Sequence, residues 1–129
     1  MILGAGTDIV EIKRFKETLQ KRPDIVGRLF TEKEQKKAQR MSPERKINYF
    51  AKRFAAKEAF SKACGTGIGR NVGWKDIEIL NNKAGAPITA FSKKVDLFLQ
   101  KKFKTKKIHV YLSLSDEKKY AMAFVILTK

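Results

Sequence analysis

Two carboxylates and a lysine are the residues of this chain whose types and spacing suggest chemistry. Asp8 stands in residues 2–10, ILGAGTDIV, where the only other polar side chain is Thr7. An unpaired carboxylate is costly to bury, so Asp8 needs a cation, a metal ion or several N–H donors. The alternative is an Asp that caps a helix starting near residue 11. Glu58 lies in FAAKEAFSKA, residues 54–63. Helical spacing puts Glu58, Ser61 and Lys62 on one face that approaches Gly65. The surrounding Ala and Phe residues indicate a helix buried on several sides. Taken alone, Glu58 and Lys62 also form an ordinary surface pair, contributing only about 0.3–0.5 kcal/mol.

The segment Gly65-Thr66-Gly67-Ile68-Gly69-Arg70 follows that helix. Its glycines could free backbone N–H groups for a phosphate. Phosphate loops place such glycines before a helix, at its positive end; here they follow one, at its negative end. The plainer reading is a glycine that terminates the helix, and an anion bound here would need Lys62, Arg70 or a metal. Together the features form one hypothesis: two carboxylates from different elements, a lysine one turn on, and a glycine loop. Asp8 with Glu58 is an all-oxygen donor set that suits Mg2+. Magnesium between carboxylates and phosphates points to phosphoryl-group chemistry.

The elements that must position these residues are legible in outline. Residues 2–10 read as a buried strand. Residues 12–21 and 25–30 read as short helices separated by Pro23. Thr31 with Glu34 is a capping box that starts a helix at 32. Ser42 followed by Pro43 starts another. Ile47, Phe50, Phe54 and Ala55 then recur at helical period, to a stop at Gly65. Residues 74–80 alternate as a strand, 81–87 form a turn, and 93–103 form a basic amphipathic helix. Two β-rich segments, 108–114 and 119–127, flank a hairpin loop at 115–118. The expectation is one α+β domain over residues 1–129.

Composition narrows the classes. The 129 residues suffice for one domain. A hydrophobic fraction of 43% supports a core, and with 3 Pro and 8 Gly the chain is not disordered. One Cys excludes an intramolecular disulfide, and one His excludes a site that needs two from one chain. No apolar run approaches a membrane span of about 20 residues, and residues 1–8 do not read as a signal peptide. The expected setting is soluble, reducing and cytoplasmic. Lys and Arg number 29 against 13 Asp and Glu, a net charge of +16 that attracts polyanions. Residues 11–62 hold 16 basic and 7 acidic side chains, and residues 93–107 hold seven Lys and one Asp.

Residues 6–12, GTDIVEI, residues 53–63, RFAAKEAFSKA, and residues 65–67, GTG, resemble the holo-acyl-carrier-protein synthase family, the short bacterial 4′-phosphopantetheinyl transferases. The likeness continues through residues 76–79, 81–87 and 120–123. It implies that family's fold, an antiparallel sheet packed around a long central helix. It implies transfer of the 4′-phosphopantetheine arm of coenzyme A to a serine of apo acyl carrier protein, in fatty acid biosynthesis, releasing adenosine 3′,5′-bisphosphate. By the same resemblance, Asp8 and Glu58 hold Mg2+, and Lys62 holds a phosphate. Ser61 and Gly65 line the same pocket, Arg53 lies near the 3′-phosphate, and residues 81–87, with Asn81 and Pro87, lie near the adenine. Ser115 belongs to the coenzyme A set, and Glu58 is the preferred proton acceptor. A homotrimer with sites between subunits is implied. The basic residues Arg14, Lys21, Arg22 and Arg28 would steer and hold the acidic carrier protein.

One position departs from the family pattern. Many members carry histidine at the final hairpin, where this chain has Asp116. We expect Asp116 to be a turn residue that accepts backbone N–H bonds, with Lys118 and Lys119 close by. His109 reads as structural or exposed, and Cys64 as a small apolar residue. A basic RNA-binding module is the rival reading, but no RNP1-like segment is present and the aromatics sit at helix-core positions. A membrane-surface protein is a third, resting on residues 93–107 alone. The expected partners therefore include neither nucleic acid nor membrane.

Overall fold

The computed structural model describes residues 1–129. The chain opens with strand β1 (Ile2–Glu11) and continues through three short helices, α1 (Ile12–Lys21), α2 (Ile25–Leu29) and α3 (Glu32–Ala38). The long helix α4 (Pro43–Ala63) follows. A 3-10 turn (Trp74–Asp76) leads into the hairpin of β2 (Ile77–Asn81) and β3 (Pro87–Phe91). Helix α5 (Lys93–Phe103) precedes the final hairpin of β4 (His109–Asp116) and β5 (Tyr120–Thr128).

Local chemistry sets most of these boundaries. The Thr31 side chain accepts from the Glu34 N–H while the Glu34 carboxylate accepts from the Thr31 N–H, which is the expected capping box. The Ser42 hydroxyl accepts from the Arg45 N–H, with Pro43 in the first turn of α4. Beyond Cys64 the chain turns through Gly65 at φ 79°, in the left-handed region that glycine favours.

Strands β1, β5 and β4 form an antiparallel sheet in that order; β2 and β3 form a separate two-stranded sheet. Helix α4 packs against the inner face of the larger sheet. Ala59 and Ala63 lie against Gly6 and Gly4 of β1, while Phe50 stacks on Phe30 and Phe60 lies against Phe91 on other sides of the helix. Full burial of a side chain such as Phe60 stabilises the fold by roughly 1.5–3 kcal/mol. This is the expected α+β arrangement of antiparallel strands about a central helix.

Three sequence expectations change. Residues 74–80 are not one strand, because Trp74–Asp76 makes a 3-10 turn and pairing starts at Ile77. Pro87 does not lie within a turn: it opens β3 opposite Asn81, at a strand start where a missing N–H is tolerated. Ser115 and Asp116 are not loop residues; they finish β4, paired with Met122 and Ala121.

Candidate active site

Residues 4, 6, 8 and 10 of β1 alternate onto the face that meets α4. A Cβ at Gly6 would fall 2.0 Å from the Ala59 carbonyl oxygen, and one at Gly4 equally close to that of Ala63. Only glycine permits this approach, which sets α4 directly on β1, the two running in opposite directions. Asp8, two residues beyond Gly6 on the same face, is thereby brought to Glu58 and Lys62.

The Lys62 ammonium donates to the Asp8 carboxylate at 3.2 Å and to the Thr7 carbonyl at 3.0 Å. The helix-cap alternative for Asp8 falls away, since the residue before α1 is Glu11 and it makes no side-chain cap. The surface-pair alternative falls away too, because Lys62 reaches across to β1 rather than along its own helix. Burial pushes the Glu58 carboxyl above the usual carboxylate range, and the negative charge of Asp8 adds to this; Lys62 opposes it. Asp8 is held by one cation, and Glu58 makes its side-chain–backbone hydrogen bond through its carbonyl, to Ser61, not through its carboxylate.

Both carboxylates line a cavity of about 910 Å3. Its apolar walls include Phe15, Leu29, Phe54 and Trp74; Arg14, Arg22 and Arg28 supply positive charge. Phe54 stacks on Trp74 with centroids 5.1 Å apart and lies 5.4 Å from Phe15. Lys21 is exposed and lies outside this cavity. Three of the four basic residues expected to meet a carrier protein therefore line the same cavity as the carboxylates.

The residues expected at coenzyme A divide among separate places. The Arg53 guanidinium donates to the Asn81 side chain at 2.6 Å and stacks 3.8 Å above the Tyr49 ring, with Pro87 paired to Asn81. Arg53 is buried, its Nε has no partner, and burial lowers its pKa. None of these three lines the carboxylate cavity. Ser115 sits opposite Met122, in register with exposed Ile9, on the outer face of the sheet. Ser61 is wholly buried and its hydroxyl donates to the Glu58 carbonyl, so within the chain it is a helix residue rather than a pocket wall.

The glycine loop closes on α4. The N–H of Gly65 donates to the Lys62 carbonyl, and those of Thr66 and Gly67 to the Ser61 carbonyl. These amides end the helix and are spent, as the plainer reading held. The cation beside them is Lys102 of α5, which donates to the Cys64 carbonyl and occupies the space a Gly65 side chain would need. Sequence reasoning missed it, because no local pattern links α5 to the end of α4.

Asp116 is not the turn acceptor. It pairs with Lys52 of α4 at 3.6 Å, while Glu117 takes the N–H groups of Lys119 and Tyr120. His109 is exposed, and burial pushes the Cys64 thiol up to about 12, as an inert apolar residue.

The chain matches the model of the 4′-phosphopantetheinyl transferase superfamily over residues 4–125. A protein of Oceanobacillus iheyensis named holo-[acyl-carrier-protein] synthase is 48% identical over 127 residues, covering 98% of this chain and 97% of the relative. Among solved structures, the holo-[acyl-carrier-protein] synthase of Neisseria meningitidis has a TM-score of 0.88 at 39% identity, covering 100% of both chains. That of Bacillus anthracis, in complex with CoA (3′,5′-ADP), has a TM-score of 0.83 at 39% identity, covering 98% of this chain and 96% of the other. The neighbouring carboxylates, the lysine paired with Asp8 and the matched family agree, and the chain belongs to the 4′-phosphopantetheinyl transferase superfamily.

Proposed function

We propose that this chain is a holo-acyl-carrier-protein synthase, transferring 4′-phosphopantetheine from coenzyme A to a serine of apo acyl carrier protein. The observation that carries this reading is the meeting of Asp8, Glu58 and Lys62 beside an arginine-bordered cavity. The relatives' names and their coenzyme A complex support the substrates.

The donor set suits Mg2+. Asp8 and Glu58 offer oxygens only, from two different elements, and the negative charge of Asp8 opposes ionisation of Glu58. Magnesium takes one or two carboxylates and completes its shell with water and phosphate. Asp8 and Glu58 would hold it, and when bound it supplies charge stabilisation at the pyrophosphate.

The chain's own residues account for the remaining steps. Lys62, poised on Asp8, holds the phosphate on which charge builds as the leaving group departs. The serine oxygen forms a bond to the β-phosphorus, and the bond from that phosphorus to the bridging oxygen breaks. Adenosine 3′,5′-bisphosphate leaves with that oxygen. The serine proton passes, directly or through a bound water, to the Glu58 carboxylate, which lines the same cavity. Arg14, Arg22 and Arg28, with Lys21 farther out, attract the acidic carrier protein.

The assembly proposed is a trimer. Ile9, Tyr111, Tyr120, Met122 and Phe124 form an exposed apolar face on the larger sheet, the kind of surface that marks an interaction site. A second copy there would cover Ser115, which lies on this same face opposite Met122. The reaction belongs in the cytoplasm, in keeping with a lone reduced thiol at Cys64. Mass spectrometry of apo carrier protein with coenzyme A and Mg2+ tests the reading. We expect a gain of one phosphopantetheinyl group, abolished by chelation; an unmodified carrier protein would reject it.

A further inference from the structure

Lys57 and Glu34 form a fully buried ion pair, 2.6 Å apart, with both side chains 0% exposed. A lysine ammonium has three donors. Here they go to Glu34 Oε1, to the Leu29 carbonyl at 2.7 Å and to the Trp74 carbonyl at 3.0 Å. Glu34 in turn accepts from the N–H groups of Thr31 and Ile79. A buried pair is weak evidence for stability, since apolar replacements are often neutral or stabilising. What the pair imposes is geometry. Its two carbonyl partners, Leu29 and Trp74, are both walls of the cavity that holds Asp8 and Glu58, and Arg28 borders the same cavity. The Trp74 ring lies against Phe54, one turn before Lys57.

We propose that Lys57, locked by Glu34, is a positioning residue that sets the Leu29 and Trp74 walls, and with them the Arg28 side that receives the carrier protein. Lys57 does not line the cavity and acts only through the backbone it holds. This inference rests on the transferase reading above.

Trp74 is the only tryptophan, so its fluorescence reports on the wall directly. Lys57→Gln should raise KM for apo carrier protein by about tenfold while KM for coenzyme A stays within about twofold. Acrylamide should quench Trp74 more readily in this variant. Glu34→Gln, which keeps the shape and an acceptor for the backbone, should move both readouts the same way by less. A folded variant with wild-type KM for carrier protein and wild-type quenching would overturn the proposal. If Lys57→Gln fails to fold, Glu34→Gln decides by the same readouts. Failure of both to fold would make the pair a requirement of folding and would also overturn it. If the wild-type protein leaves carrier protein unmodified, the transferase reading fails instead, and the quenching comparison still tests the wall.

Discussion

Gly6 lies directly beneath Ala59, so close that a methyl group on Gly6 would stand 2.0 Å from the Ala59 carbonyl oxygen. The clash is with backbone and no side chain can move to relieve it. Gly6→Ala should force α4 away from β1, at a cost on the order of 1–3 kcal/mol or more, and should separate Asp8 from Glu58 and Lys62. A lowered urea midpoint with a lost transfer rate is expected. Gly27→Ala is the control: nothing lies within 4 Å of its added carbon, so it should be neutral or stabilising by up to about 1 kcal/mol.

Gly65 and Lys102 should be energetically coupled. Gly65→Ala places a side chain in the left-handed region, at roughly 1–2 kcal/mol, and displaces the Lys102 ammonium from the Cys64 carbonyl. Combined with Lys102→Ala, it should cost less than the sum of the two single changes. A double-mutant cycle in urea should give a coupling of about 0.5 kcal/mol or more, and strict additivity would show that Lys102 does not cap α4.

Asp76 gives a pH test of stability. Burial alone would raise its pKa, but the bonds from Lys94, the Gly73 N–H and Ser92 outweigh this and lower it. The ionised form is therefore favoured in the folded state. Its stabilisation is complete above about pH 4, the ordinary aspartate value, and disappears as pH falls through the lower folded-state value. Asp76→Asn should lower the melting temperature at pH 7, and the difference from wild type should close as the pH is taken below 4.

The apolar sheet face tests the assembly. Phe124 is 42% exposed between Thr7 and Ser113 on the outer surface. Phe124→Glu should convert the proposed trimer to a monomer by light scattering and abolish activity, with the chain still folded. A fully active monomer would remove the shared site.

Much of this was legible because it is local. The Thr31 capping box, the Ser42 cap, the Gly65 stop and the period of α4 depend on residues within a few positions of one another, and each stands where expected. Asp8 and Glu58 were legible as charges that needed partners among apolar neighbours. The Lys57–Glu34 pair was not, because Glu34 already had a local explanation as a cap and its second role depends on long-range packing. Pro87 at the start of β3 was hidden for a related reason: proline reads as a turn unless its strand partner, Asn81, is known. Asp116 was misread because its partner Lys52 comes from α4 rather than from the neighbouring lysines.

The most direct test of the central claim is the initial rate of carrier-protein modification by Asp8→Asn across a Mg2+ titration. The account predicts a loss of at least about 100-fold, or roughly 2.7 kcal/mol, with more Mg2+ needed for half-maximal rate and an unchanged fold by circular dichroism. An Asp8→Asn protein that turns over at the wild-type rate at low Mg2+ would contradict it.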